Sequence, residues 1–212
     1  MKKAFFTMAL MYGLCAIAFA QNQVAFKINA GISSAMVKSD VDGEKENTKC
    51  RIGFTAGVAT NIPLGQHLSF EPGLNYLQKG GKQNVDQAKY EVVLNYIEMP
   101  LNLLYKTSSK SNSGNFFVGA GPSLAYGVSG KIKLEEAGNS ESVKIKFGNG
   151  DDDDLKALDI GANLIAGYQF KSGFSLCANY NLGLSNSFHN GDGTWKNNYF
   201  GIRMGYAFPS RR

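Results

Sequence analysis

Large apolar side chains recur at every second position along most of this chain, and the last such run is the clearest. Phe200, Ile202, Met204, Tyr206 and Phe208 alternate with Tyr199, Gly201, Arg203, Gly205 and Ala207. A period of two is that of a β-strand, whose successive side chains serve opposite faces. The spacing predicts eight strands, at 24–36, 51–62, 68–78, 91–105, 115–127, 158–170, 174–184 and 197–208. Each is long enough to cross a bilayer at a tilt, which takes about 9–11 residues. The connections alternate in length. Pro63-Leu64-Gly65-Gln66-His67, Lys171-Ser172-Gly173 and the polar stretch 106–114 are short, whereas 37–50, 79–90, 129–157 and 185–196 are long. Short turns at one end and long loops at the other suit a membrane barrel whose long loops face outward.

The content of the second face decides between a membrane barrel and a soluble one, because a water-facing surface would be rich in Lys, Glu and Thr. Here it reads Gly53, Thr55, Gly57, Ala59 on one strand, Gly119, Gly121, Ser123, Ala125 on another, and Gly161, Asn163, Gly167 on a third. Small residues with isolated charges suit the crowded lumen of a narrow barrel. The apolar face ends in Tyr105, Phe116, Phe170, Phe174 and Phe208 on the short-turn side, as an aromatic girdle at a lipid–water boundary would. The expected fold is all-β: an eight-stranded, antiparallel, closed transmembrane β-barrel of the small OmpA/OmpX-like architecture.

Inward parity places six charges in the lumen, Lys27, Arg51, Glu71, Glu98, Asp159 and Arg203. Lys27 and Glu71 fall low, Glu98 and Arg203 midway, Arg51 and Asp159 high. Strands four and eight face each other across an eight-membered ring, as do two and six. The sequence therefore predicts a Glu98–Arg203 bridge and an Arg51–Asp159 bridge across a filled lumen. A gated narrow channel is the alternative.

Residues 1–20 read as a signal peptide cleaved after Ala20: Lys2 and Lys3, an apolar stretch, then Ala18-Phe19-Ala20. The barrel domain is then 21–212 and the location the outer membrane of a Gram-negative cell envelope. No second helix-forming apolar run exists, which excludes a helical membrane protein. Without Lys2 and Lys3 the formal charge falls from +5 to +3, too little to argue for nucleic acid. Cys50 and Cys177, at a loop junction and inside a strand, are expected to be free thiols.

Candidate chemistry is sparse. Asp151, Asp152, Asp153 and Asp154 follow Gly148-Asn149-Gly150 and offer carboxylates to a hard cation such as calcium, but without the alternating ligand spacing of an EF-hand. His189 with Ser185 and Ser187 is the candidate for lipid A-modifying catalysis, though it lies among turn residues without an orienting acid, and His67 sits in a short turn. No zinc spacing or nucleotide-binding glycine loop is present, so no cofactor and no enzymatic activity are expected.

Several segments resemble the PorT-like outer-membrane β-barrel domain family. Phe70-Glu71-Pro72-Gly73-Leu74-Asn75-Tyr76 with Lys79-Gly80-Gly81 is similar to its third strand, and Tyr96-Ile97-Glu98-Met99-Pro100-Leu101 to its fourth. Phe117-Val118-Gly119-Ala120-Gly121-Pro122, Leu158-Asp159-Ile160-Gly161 and Tyr180-Asn181-Leu182-Gly183-Leu184 resemble strands five to seven. The resemblance implies a small outer-membrane barrel, and its founding member serves protein secretion. The expected role is structural or interactive: a monomer whose long loops meet outer-membrane lipid and lipopolysaccharide, envelope proteins or host surface proteins. An accessory part in a secretion machinery is the alternative.

Overall fold

The computed structural model describes residues 24–41, 44–85, 88–107, 114–136, 139–148, 150, 153–188 and 193–208. Residues 1–20, with the expected cleavage site, lie outside them.

Eight long strands carry the alternation: β1 (Ala25–Val41), β2 (Arg51–Pro63), β3 (Leu68–Val85), β4 (Ala88–Lys106), β5 (Gly114–Glu136), β6 (Leu158–Phe170), β7 (Phe174–Gly183) and β8 (Thr194–Phe208). Each pairs antiparallel with the next. β8 returns to β1 in unbroken register from Phe26↔Phe208 to Asp40↔Thr194 and closes the ring. Closure leaves no sheet edge at membrane height, where unpaired backbone groups would be costly.

Accessibility follows the two-residue period. Met204 is 69% exposed on the outer wall while its neighbour Arg203, facing the axis, is 7% exposed. Tyr105, Phe116, Phe170, Phe174 and Phe208 all stand exposed at the short-turn end. Tyr168 and Tyr206 extend their band, Tyr168 meeting Phe116 edge-on at 4.7 Å and Tyr206 meeting Phe174 at 5.2 Å. Between β6 and β7 the chain reverses through Gly173 at φ +93°, a conformation open to glycine at little cost.

Several strands outrun their predicted ends, so much of the expected loops is sheet. β1 continues to Val41, β3 to Val85 and β5 to Glu136, and β4 already begins at Ala88. The strand Glu44–Asn47 pairs with the end of β1, and Asn139–Ile145 folds back on β5 as a hairpin. The cause is an inversion of polarity at the membrane surface. Within the belt β4 turns Ile97, Met99, Leu103 and Tyr105 outward and Glu98, Asn102 and Leu104 inward. Above it, Leu94 and Tyr96 point into the mouth, and Glu91 forms ion pairs with Arg51 and Lys133. β5 makes the same transition across a bulge opposite Asn95/Tyr96. Bulges of this kind bend and twist a strand where its surroundings change. At the mouth of the barrel a cluster of buried apolar residues forms a cap, Leu94, Tyr96, Ala125 and Leu155, packed by Val92, Ile145, Phe147 and Trp195.

Candidate functional site

The polar lumen, with the rim above it, holds the chain's chemistry. At the short-turn end Lys27 Nζ lies 3.8 Å from Glu71 Oε1. Glu71 also accepts a hydrogen bond from Asn61 Nδ2 (3.4 Å), and Lys106 Nζ donates to Asn61 Oδ1 (2.8 Å). Above this an asparagine relay crosses the barrel: Asn179 donates to Asn163 (3.2 Å) and Asn163 to Asn102 (2.9 Å).

At mid-height Arg203 Nη2 is 3.9 Å from Glu98 Oε2. The contact is completed by Tyr199, whose hydroxyl donates to Glu98 (2.7 Å) and accepts from Arg203 (3.1 Å). Glu98 and Tyr199 are fully buried, so the phenol supplies the short hydrogen bond that the two charges do not make directly. Tyr199 shares the inward parity of Arg203 two β-repeats away, and that parity is the signal that could have placed it in the lumen.

The upper layer departs from expectation. Arg51 does not reach Asp159; its Nε donates to Glu91 Oε1 (2.9 Å), and Glu91 Oε2 meets Lys133 Nζ (3.7 Å). Asp159 instead pairs with Lys79, Nζ to Oδ2 3.1 Å, with side chains only 2% and 1% exposed. Asn197 Nδ2 (3.0 Å) and the Ser185 hydroxyl (3.0 Å) also donate to Asp159, and the Lys79 ammonium lies over the Tyr96 ring at 4.9 Å. The apolar outer face stops before Lys79, so the alternation alone assigns Lys79 to a loop. Its place is on β3, with the inward parity of Glu71 and Asn75.

Buried ion pairs are tolerated when hydrogen bonds complete them, and three stacked pairs give Glu71, Glu98 and Asp159 a cation each. Beside Lys27, Asn75, Asn102 and Arg203 remains a cavity of about 20 Å³, room for about one water molecule. At this height the buried polar side chains occupy the interior of the barrel.

The remaining candidates have local duties. Asp153 Oδ2 accepts from the Gly150 N–H (2.8 Å) and Asp154 Oδ2 from the Lys146 N–H (2.8 Å), fastening the turn below the hairpin. Asp151, Asp152 and His189 lie outside the described residues. Ser185 serves Asp159, and Ser187 accepts from Asn197 at 3.5 Å. His67 Nδ1 is 2.9 Å from the Lys106 carbonyl oxygen, and its ring stacks on Tyr105. Among the described residues no group of three or more His, Cys, Asp or Glu side chains could hold a metal ion. Cys50 is exposed and Cys177 buried, both free.

The profile of the outer membrane protein beta-barrel domain family matches residues 19–189. The chain belongs to that family. Its place is the outer membrane, with β1–β8 as the spanning wall. No curated protein matches it. Among solved structures it is similar to Ail, the attachment invasion locus protein of Yersinia pestis, at 17% identity and TM-score 0.44, covering 88% of this chain and 99% of that one. Neisserial surface protein A gives 12% identity and TM-score 0.46, covering 86% and 97%. The N-terminal barrel domain of Pseudomonas aeruginosa OprF gives 13% identity and TM-score 0.35, covering 85% and 97%. At these values the likenesses inform neither ligand nor activity.

Proposed function

We propose that this protein is a non-enzymatic, non-conducting barrel that carries an interaction surface above the outer membrane. It is exported with removal of residues 1–20 and stands as a monomer, its closed ring needing no partner strand. The observation that carries this reading is the height of the upper sheet. β5 runs to Glu136, while its neighbour β6 pairs with it only from Tyr126 downward. The upper halves of β3, β4 and β5 with the Asn139–Ile145 strand thus form a sheet that the belt does not require. The side chains of the Asn139–Ile145 strand stand mostly in the open, Val143 being 66% exposed. Such a surface suits contacts with lipopolysaccharide, envelope proteins or host surface proteins.

The experiment joins three measurements on the full chain. Planar bilayers containing it should show no conductance steps, and lipid A from cells producing it should keep its mass. A photo-crosslinking residue at Val143 should give protein or glycolipid adducts on intact cells that one at Phe54, on the lipid wall, does not give. Reproducible conductance, a changed lipid A mass, or identical adducts from both positions would refute the proposal.

The segments resembling PorT-like barrels support a second reading, an accessory role in secretion. In the most recognisable of them, however, Tyr96 and Glu98 are engaged inside the lumen, so that segment reports barrel packing as readily as a secretion partner. Co-purification of a defined set of envelope proteins through the short periplasmic turns would favour it.

A further inference from the structure

The wall of the barrel carries a notch at the membrane surface. β6 stops pairing with β5 at Leu158↔Tyr126, and the Asn139–Ile145 strand begins only at Gly130↔Ile145. Over residues 127–129 β5 has no neighbouring strand on that side, apart from the Gly127 N–H donating to the Ala157 carbonyl (2.8 Å). The gap opens a groove of about 580 Å³ whose lining includes Tyr126, Val128, Ser129, Lys144, Lys146 and Asp153.

Its two ends differ in chemistry. The lower end is lipid wall, with Tyr126, Val128 and Leu158 each more than half exposed. The upper end is cationic. Lys144 is the direct cross-strand partner of Lys131, and the neighbouring position on β4 is Val93, which brings no acid. Like charges placed opposite one another destabilise a sheet unless an anion meets them. Lys133, one repeat higher, is already paired with Glu91, whereas among the described residues Lys131, Lys144 and Lys146 make no ion pair. The carboxylate in the groove, Asp153, is tied to the Gly150 N–H, and Asp154 fixes the Lys146 backbone beside it. Lys131 stands roughly 10–13 Å above Tyr126, and lysine stems are long enough to bend back toward the headgroups.

We infer that this groove binds a phosphorylated outer-leaflet glycolipid, its phosphate on Lys131, Lys144 and Lys146 and an acyl chain running down over Tyr126 and Leu158. The inference rests on the membrane placement and interaction role proposed above and names one partner for that surface. It commits to a lipid because the cations adjoin an apolar wall continuous with the bilayer.

The test uses the full-length protein in phosphatidylcholine nanodiscs, titrated with bis-phosphorylated lipid A and with the same lipid after phosphatase treatment. The Lys131→Gln/Lys144→Gln/Lys146→Gln variant should bind the phosphorylated lipid on the order of 100-fold more weakly, about fivefold per lysine. Wild type should show a similar loss toward the dephosphorylated lipid, a comparison that needs no variant to fold. Lys171→Gln, in the opposite turn, should leave affinity unchanged. Equal binding of the two lipids, an unaffected triple variant, or a soluble sulfated polysaccharide binding as tightly as lipid A would overturn the inference. Conductance or altered lipid A mass alongside intact phosphate-dependent binding would refute the functional proposal and leave this site standing.

Discussion

Removing the charge of Lys79 while keeping its stem, as Lys79→Met does, strands Asp159 in the upper lumen. The two charged atoms are 3.1 Å apart and their side chains are almost wholly enclosed. At that distance the attraction is about 5 kcal/mol for an effective dielectric constant near 20. Asp159 keeps its hydrogen bonds from Asn197 and Ser185, so the full amount is not lost. We expect Lys79→Met to cost about 3–4 kcal/mol, in the range for breaking a buried pair from one side. Asp159→Asn should cost about 3 kcal/mol by leaving the ammonium unpaired. The double variant removes both charges and keeps an acceptor for Asn197, so it should lie within about 1 kcal/mol of wild type. Urea unfolding from lipid vesicles, followed by tryptophan fluorescence, measures all four proteins. Trp195 is the only tryptophan in the chain, and its indole N–H donates to Asn197 (3.2 Å), so the reporter adjoins the pair. A single variant within 0.5 kcal/mol of wild type, or a double variant as unstable as the sum of the singles, would refute the reasoning.

Other outcomes follow from the same geometry. Tyr199→Phe leaves Arg203 and Glu98 at 3.9 Å without the bridging hydroxyl, and the same titration should show a loss of about 2 kcal/mol. Gly57→Val would drive a side chain into Asn75 and the Leu74 carbonyl, so the compact folded band should disappear from unheated gels. A membrane-impermeant maleimide on intact cells should label Cys50, which is exposed at the outer end, while the buried Cys177 reacts only after unfolding. Protection of Cys50 would put the long-strand end in the wrong compartment.

The eight strands were legible because lipid and lumen impose opposite demands on alternate residues, and a two-residue period survives without any neighbour being known. The exposure of Tyr105, Phe116, Phe170, Phe174 and Phe208 was legible for the same reason, since all five end the outward stripe at one end. What escaped was the part of the sheet above the membrane. There Lys131-Ile132-Lys133-Leu134-Glu135 alternates as regularly as any spanning strand, but both faces of it now meet water or other parts of the protein, and Ile132 is 37% exposed. Taking outward-apolar as the rule for a strand ended β5 too early and turned Lys79 into a loop residue. The Arg51–Asp159 expectation failed with it: Asp159 had a nearer partner on a strand thought to have ended, and Arg51 had Glu91. The bridging role of Tyr199 depends on side-chain reach across the ring, which strand parity alone does not specify.

The direction in which the two faces point is best tested on β8. Single nitroxide labels at positions 200 to 205, in protein reconstituted into vesicles, report collision with oxygen dissolved in lipid and with a water-soluble nickel chelate. Labels at Phe200, Ile202 and Met204 should collide readily with oxygen and hardly with nickel, and those at Gly201, Arg203 and Gly205 should be shielded from both. Oxygen-shielded labels at Phe200, Ile202 and Met204, with nickel reaching Gly201 and Arg203, would mean that the greasy stripe is the interior and that no membrane-spanning wall exists.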